Sequence, residues 1–390
     1  MKEDWTYKKL EEVCSLITKG TTPTSLGFDF TEQGVAFVKI ESLTEDGGIL
    51  PSMVAHISDD CNNALKRSQL EELDILYSIA GALGRVAIVP KSILPANTNQ
   101  ALAIIRLRNK EIGFIRFLKY FLTSRPMLSA IMNLKVGVAQ QNLSLTQIRD
   151  LTIPIPPITE QSRIVSELDL LQSIIDKQKA QLKELDNLAQ AVFYDMFGDP
   201  VENEKGWEVN SLKSVAPQKQ WDGSVPSVNG LFWLLNLDMV ESQTGSIIEK
   251  VLVKQDEIGN STIMFDTTNV LYSKLRPYLN KVVVPDEIGY GTSELVPLRP
   301  RPDVLNRIFF AYLLRNKSFV DYISGKVAGA KMPRVVMDDF RAFSVILPPI
   351  QLQQSFASKI ESIEKQKTTI SKSIEETQKL FDYTMDKYFG

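Results

Sequence analysis

Beyond Pro157 the apolar residues fall into a strict rhythm. Ile164, Leu168, Leu171, Ile175, Gln178, Leu182, Leu185, Ala189, Val192 and Met196 follow one another at alternating steps of four and three, with no proline or glycine between them. A sustained heptad predicts a long helix with one buried seam. The rhythm returns near the chain end through Phe356, Ile360, Ile363, Lys367, Ile370, Ile374, Thr377, Phe381, Thr384 and Tyr388. At about 1.5 Å per residue each helix extends about 50 Å. The two are expected to pair within the molecule as an antiparallel coiled coil. Its pairing residues are Ile164, Leu168, Leu171, Ile175, Leu182 and Leu185 on one helix, and Phe356, Ile360, Ile363, Ile370, Ile374 and Phe381 on the other. Lys367, Thr377 and Thr384 fit a simple seam poorly, which suggests a face that stays wet or meets another protein's helices. Gln178 and Lys367 are candidates for fixing register.

The two helices belong to a larger repeat. QQNLSLTQIRDLTIPIPPITEQ, from residue 140, falls on MPRVVMDDFRAFSVILPPIQLQ, 192 positions on. Leu143 meets Val335, Ile153 meets Val345, Pro156-Pro157-Ile158 meets Pro348-Pro349-Ile350, and Gln161 meets Gln353. The register holds without a gap to Phe197-Gly198 and Phe389-Gly390. Upstream, Trp5, Leu10 and Val13 answer to Trp207, Leu212 and Val215, and Leu76-Tyr77-Ser78 to Leu271-Tyr272-Ser273. Residues 18–70 and 217–265 give no alignment. One scaffold used twice to read two different targets would diverge in this way.

Short β-branched stretches predict strands at Val35–Ile40, Ile75–Ile79, Val86–Val89 and Ala101–Leu107, then at Val270–Ser273, Lys281–Val284 and Glu294–Leu298. A helix follows in each half, near Ile112–Phe121 and Val304–Leu314, with Pro126 interrupting the first. The pattern is not a regular βαβ alternation. The fold expected is α+β: two similar mixed α/β domains, 1–157 and 199–349, each followed by a long helix, 158–198 and 350–390.

Composition narrows the class. The chain has 390 residues, 44% hydrophobic and 23% charged, which suits two soluble domains. No apolar run approaches a membrane span, and the opening residues lack a signal-peptide core. Two cysteines, Cys14 and Cys61, argue against a disulfide framework or structural zinc and fit a reducing cytoplasm. The net charge is −3, from 44 basic and 47 acidic residues, so any nucleic-acid face must be local.

Polar loops supply the candidates for such a face. In the first half they are Lys19, Gly20, Thr21 and Thr22, then Lys39, Arg85, Asn97, Asn99 and Gln100, and finally Gln140, Gln141 and Asn142. The second half offers Lys219, Gln220 and Trp221, then Lys274, Arg276 and Lys281, and then Lys326, Lys331 and Arg334. Asn and Gln suit bidentate bonds to adenine, Arg and Lys suit guanine, and hydroxyls suit phosphate or base edges. Any one of these residues alone reads more simply as a solvated loop position.

Catalytic sets are missing. The single histidine, His56, rules out histidine triads and multi-histidine metal sites. There is no phosphate-binding G-x-x-x-x-G-K-(S/T) loop, no Asn-Pro-Pro-Tyr-like motif, and no acidic-x-Lys nuclease motif after Pro285-Asp286 or Pro302-Asp303. A coiled-coil scaffold without DNA specificity remains the rival reading.

In order, these residues resemble one family. Trp5-x4-Leu10-x2-Val13, the Gly20-Thr21-Thr22-Pro23 loop, Leu76-Tyr77-Ser78 before a Gly-rich turn and Asn99-Gln100-Ala101-Leu102 come first. Gln141-Asn142-Leu143-Ser144-Leu145, Ile153-Pro154-Ile155-Pro156-Pro157, Glu160-Gln161 and the long helix complete the set. The chain resembles the specificity subunit of type I restriction-modification enzymes along its full length. The second half departs from the pattern at Met332-Pro333-Arg334 and Gln351-Leu352-Gln353. The resemblance implies two target recognition domains reading a bipartite, asymmetric site on double-stranded DNA. It implies two methyltransferase subunits docked on the helices and motor-nuclease restriction subunits in the same complex. The chain itself is then expected to be non-catalytic and to hold no cofactor or metal, with S-adenosylmethionine, ATP and Mg2+ on the partners. Half-site centres about 10 bp apart are expected if both domains enter the major groove from one side.

Overall fold

The computed structural model describes residues 4–44, 46–133, 142–329 and 331–390. The chain divides into two compact units, Met1–Gln178 with Ser373–Gly390, and Lys179–Lys372. These boundaries cut through the long helices and do not follow the four segments that the sequence suggests.

The first unit runs β1 (Thr6–Lys9), α1 (Leu10–Val13), β2 (Cys14–Lys19), β3 (Val35–Val38), β4 (Ala55–Ile57) and α2 (Asp59–Ala64). It continues with β5 (Ile75–Ser78), β6 (Val86–Ile88), β7 (Ala96–Thr98) and β8 (Leu102–Leu107). Helices α3 (Ile112–Thr123), α4 (Arg125–Asn133) and α5 (Leu145–Arg149) follow, then β9 (Thr152–Ile155) and the long α6 (Ile158–Phe197). Strand β8 is buried on both faces, which explains its nearly continuous apolar run. Ala103 and Ile105 pack toward α3 and α5 with Ile75, Tyr77, Ile115, Leu118 and Ile148. Leu102 and Ile104 face the other way, onto Val38, Leu76 and Ala96 and so onto the β4-β3-β7 sheet.

The second unit repeats this plan. It contains β10 (Val209–Ser211), α7 (Leu212–Val215), β11 (Leu231–Leu235), β12 (Val251–Lys254), β13 (Ile263–Phe265), β14 (Val270–Ser273), β15 (Val282–Val283), β16 (Gly289–Gly291) and β17 (Leu295–Leu298). Then come α8 (Arg307–Arg315), α9 (Lys317–Ser324), β18 (Val327–Ala328), β19 (Arg334–Val335), α10 (Met337–Ala342), β20 (Ser344–Ile346) and α11 (Ile350–Phe389). The stretches that resist alignment carry the same pairing. Strand β3 lies antiparallel to β4 and parallel to β7, with Ala36 opposite Ala96. Strand β11 lies antiparallel to β12 and parallel to β16, with Leu234 opposite Tyr290. Even the loop after each strand matches, closed by a bridge between Leu43 and Ile49 in one unit and Val240 and Ile247 in the other. Strand β13 extends this sheet in the second unit, pairing with β16.

The helix breaks at Ser124, two residues before Pro126. The proline sits in the first turn of α4, where a missing N–H costs nothing. Helices α8 and α9 part at the same place without a proline, at Asn316, whose side chain accepts the Ser318 N–H at 3.0 Å.

The heptad seam is buried at the helix starts, through Ile164, Leu168, Leu171 and Ile175 and through Phe356, Ile360 and Ile363. Toward the middle Leu182, Leu185, Ile370 and Ile374 are only partly buried, and at the helix ends Phe193, Phe197 and Phe389, outside the predicted seam, are buried. In the first unit Ile164 and Leu168 of α6 cluster with Met385, Tyr388 and Phe389 at the end of α11, and with Phe117 and Tyr120 of α3. In the second unit Phe356 and Ile360, from the start of α11, cluster with Ala189, Phe193 and Phe197 at the end of α6 and with Phe309 of α8. Start therefore meets end in each unit, the mark of an antiparallel pair. This also explains the unit boundaries, because each globular part closes over the start of its own helix and the end of the other. The repeated glutamines bolt these helix starts down. Gln161 donates to the Pro156 carbonyl at 2.8 Å, and Gln353 to those of Pro348 at 2.7 Å and Val304 at 3.0 Å. The polar seam residues are paired locally: Gln178 donates to Ser373 at 2.7 Å, and Lys367 meets Asp186 at 2.7 Å and Glu364 at 3.1 Å. Burial opposes the charge on Lys367, yet its two carboxylate partners more than offset this and hold its pKa above the ordinary value.

Candidate nucleic-acid interface

In the first unit, backbone hydrogen bonds draw three loops together. Gly20, just past β2, donates to the Asn99 carbonyl at 3.1 Å, and the Thr22 hydroxyl bonds the Gln100 side chain. A side chain at Gly20 would meet the Thr98 carbonyl oxygen at 1.8 Å, so glycine is required for this approach. From the same turn Ala101 accepts the Ile79 N–H at 2.9 Å, and the Ile79 carbonyl accepts the Leu143 N–H at 2.9 Å. Lys19, Thr21, Thr22, Asn99, Gln100, Arg85 and Asn142 therefore decorate one continuous stretch of loops, with Lys19, Gln100 and Asn142 exposed. Gln140 and Gln141 lie outside the described residues.

The second unit builds the corresponding stretch from different chemistry. Lys274 donates to the Glu294 carbonyl at 3.0 Å, and the Lys274 carbonyl accepts the Val335 N–H at 2.9 Å. These bonds match those of Ile79, Ala101 and Leu143, which sets Arg334 where the first unit has Asn142. Strands β18 and β19 form a short antiparallel ribbon here, with Ala328 opposite Arg334 and Lys331 exposed near the tip. Arg276 joins it through its N–H to the Pro333 carbonyl at 2.8 Å, with φ at 50°. A left-handed non-glycine residue costs energy and survives where its surroundings fix it. Lys274, Arg276, Lys326, Lys331 and Arg334 thus line one ribbon and the loop joined to it. A two-stranded ribbon is one of the elements that a DNA major groove admits.

Several candidates have other work. Asn97 is wholly buried: its amide donates to Asn62 at 2.9 Å and to the Leu65 carbonyl at 3.2 Å, and its oxygen accepts the Thr98 N–H. It braces the turn and has no surface to offer a base. Lys281 gives its ammonium to the Leu237 carbonyl at 2.6 Å. Lys39 is half-buried over the Phe30 ring, 4.2 Å from its centroid. Lys219 donates its N–H to the Pro297 carbonyl of β17 at 2.9 Å, while Gln220 accepts the Met264 N–H of β13 at 3.1 Å and Trp221 donates its own to the Met264 carbonyl. No hydrogen bond brings these three to the ribbon among the described residues.

Sequence reasoning missed Glu294. Its carboxylate takes Arg334 Nη2 at 2.9 Å and Nε at 3.2 Å, and the guanidinium holds its pKa below the ordinary carboxylate value. A search for cations passes over an acid. Its place just before β17, in register with Ala101 before β8, was the available signal.

Among the described residues no helix is long and apolar enough to cross a membrane, and no group of three or more His, Cys, Asp or Glu is placed to hold a metal. Residues 2–187 match the family model of the type I restriction modification DNA specificity domain. The chain is 24% identical over 267 residues to the type I restriction enzyme EcoDI specificity subunit of Escherichia coli, an alignment covering 58% of each protein. It therefore spans little more than half the length of that relative. The MjaIX specificity subunit of Methanocaldococcus jannaschii is 20% identical over 99% of this chain and 92% of its own. A crystal structure of a type I restriction-modification S subunit from M. genitalium superposes with a TM-score of 0.55 at 14% identity, covering 100% of this chain and 98% of that one. That likeness establishes a shared fold. Residues 2–187 thus resemble a type I restriction modification DNA specificity domain, and the chain resembles type I specificity subunits along its whole length.

Proposed function

We propose that this chain is the DNA-reading specificity subunit of a type I restriction-modification complex. One observation carries the reading: a single scaffold occurs twice, and corresponding loops bear unlike polar chemistry. The first unit offers amides, hydroxyls and Arg85. The second offers a basic ribbon and loop. Each unit reads one half of a bipartite, asymmetric site on double-stranded DNA, through base-edge contacts that specify and phosphate contacts that position.

Methylation and cleavage belong to partner subunits. Two methyltransferase subunits carry S-adenosylmethionine, and motor-nuclease subunits carry ATP and Mg2+. The chain contributes selection and no catalytic step. Its near-balanced overall charge favours modest DNA affinity by the free subunit and full affinity in the complex.

The test is co-expression with a type I methyltransferase subunit from the same genome, followed by mapping of methylated adenines. A split, asymmetric consensus is expected. Methylation without sequence preference, or none above the methyltransferase alone, would favour the scaffold reading.

A further inference from the structure

Arg334 stands half-exposed on β19, with 49% of its side chain accessible, and Glu294 lies beneath it with 21% accessible. Both backbones are anchored. Arg334 pairs with Ala328 across the ribbon and is bridged to Leu275, while Glu294 gives its carbonyl to Lys274. The carboxylate occupies the Nε and Nη2 side of the guanidinium at 2.9–3.3 Å. The end of the fork, with both Nη1 hydrogens and one on Nη2, is left for another acceptor.

An acid in this place is costly for generic DNA binding. Arg334 and Lys274 act directly on its charge, Arg276, Lys326 and Lys331 lie on the same ribbon and adjoining loop, and a carboxylate set among such cations repels phosphate. If the patch served only to hold the backbone, neutral or basic residues would do better. A side-on carboxylate supplies direction instead. It removes the rotamer freedom of a long side chain, so little is lost when the guanidinium meets a planar pair of acceptors.

We propose that Glu294 is a positioning residue that presents the end of the Arg334 fork to the O6 and N7 of a guanine in the half-site read by the second unit. The inference rests on the DNA-reading function proposed above and adds a residue, a base and a direction of effect. The first unit has Ala101 and Asn142 at the matching positions and so lacks this device. This is one physical source of unequal half-sites on equal frames.

The test uses the complex assembled with its methyltransferase subunit. It measures affinity for the mapped site, for duplexes altered in one half-site at a time, and for unrelated DNA, across a salt series. Glu294→Gln should lower the ratio of cognate to unrelated affinity by roughly tenfold or more. Affinity for unrelated DNA should hold or rise, because a negative charge has gone. Discrimination in the other half-site should stay intact, and Glu294→Asp should restore part of the loss. An unchanged ratio in Glu294→Gln overturns the proposal, as does an equal loss on every duplex. Wild-type complex that selects no sequence at all would instead overturn the DNA-reading function.

Discussion

Gly20 gives the sharpest quantitative test of how the first unit's loops are held. Replacing it with alanine sets a methyl carbon 1.8 Å from the Thr98 carbonyl oxygen and 2.6 Å from that of Asn99, where real contacts stay beyond 3.0 Å. Both obstacles are backbone atoms and cannot rotate aside. The turn cannot retreat either, because Thr98 is tied to the Val38 carbonyl at 2.8 Å and Asn97 to Asn62 and Leu65. The Gly20–Thr22 loop must therefore lift by more than an ångström and give up the Gly20 to Asn99 hydrogen bond. Loss of that bond costs about 1 kcal/mol, and residual overpacking costs about 1–3 kcal/mol. Gly20 does not use a left-handed φ, so alanine returns about 0.4–1 kcal/mol through the unfolded chain. The net loss is about 1–3.5 kcal/mol, and each kcal/mol lowers the melting temperature of a unit this size by about 2–4 °C. Gly113→Ala is the control. It lies within α3 with open space where its methyl would go, and it should stabilise by about 0.5–1 kcal/mol. Differential scanning calorimetry of both variants, with methylation mapping of each half-site, provides the readout. Gly20→Ala melting with the wild type, or behaving like Gly113→Ala, would refute the reasoning.

Three further outcomes are expected. Asp74 is wholly buried and held by Arg106 through Nε and Nη2, each at 2.8 Å; Asp74→Ala should cost about 3 kcal/mol, the lower end for a broken buried pair because Arg106 keeps Glu71 at 2.6 Å. Urea unfolding checks this, and a loss below 1 kcal/mol would contradict it. Asn97→Ala should destabilise by about 1–3 kcal/mol while leaving the salt dependence of DNA binding unchanged, since its amide braces the turn and neutralises no phosphate. Burial pushes the Cys14 thiol up to about 12, so it stays protonated and unreactive at pH 8. With Cys61 also fully buried, a disulfide-exchange reagent should titrate no thiol in the native protein and two in denaturant. A thiol reacting fast in the folded chain would show that the core around it opens.

The sequence alone determined the periodic and the repeated. The heptads predicted both long helices and the face each buries at its start, because a steady 3.5-residue period leaves one stripe to hide; Phe193, Phe197 and Phe389, buried at the helix ends, lie outside that stripe. The gapless register at an offset of 192 residues, from 140 to 198, made the duplication legible, and continuous apolar runs located the central strands. Tertiary structure decided what depends on distant partners. The stretches 18–70 and 217–265 build the same antiparallel pair, β3 with β4 and β11 with β12, although their residues differ, since a pleated surface accepts many side chains of suitable size and alternation. Asn97 and Asn99 read alike in sequence, and only folding buried one and left the other at the surface. Glu294 gained its meaning from Arg334, 40 residues away, once the ribbon and the start of β17 came together. The boundaries of the two units followed from helix pairing, which no local pattern encodes. Local periodicity is written in adjacent residues; the function of a polar side chain is set by what folding brings beside it.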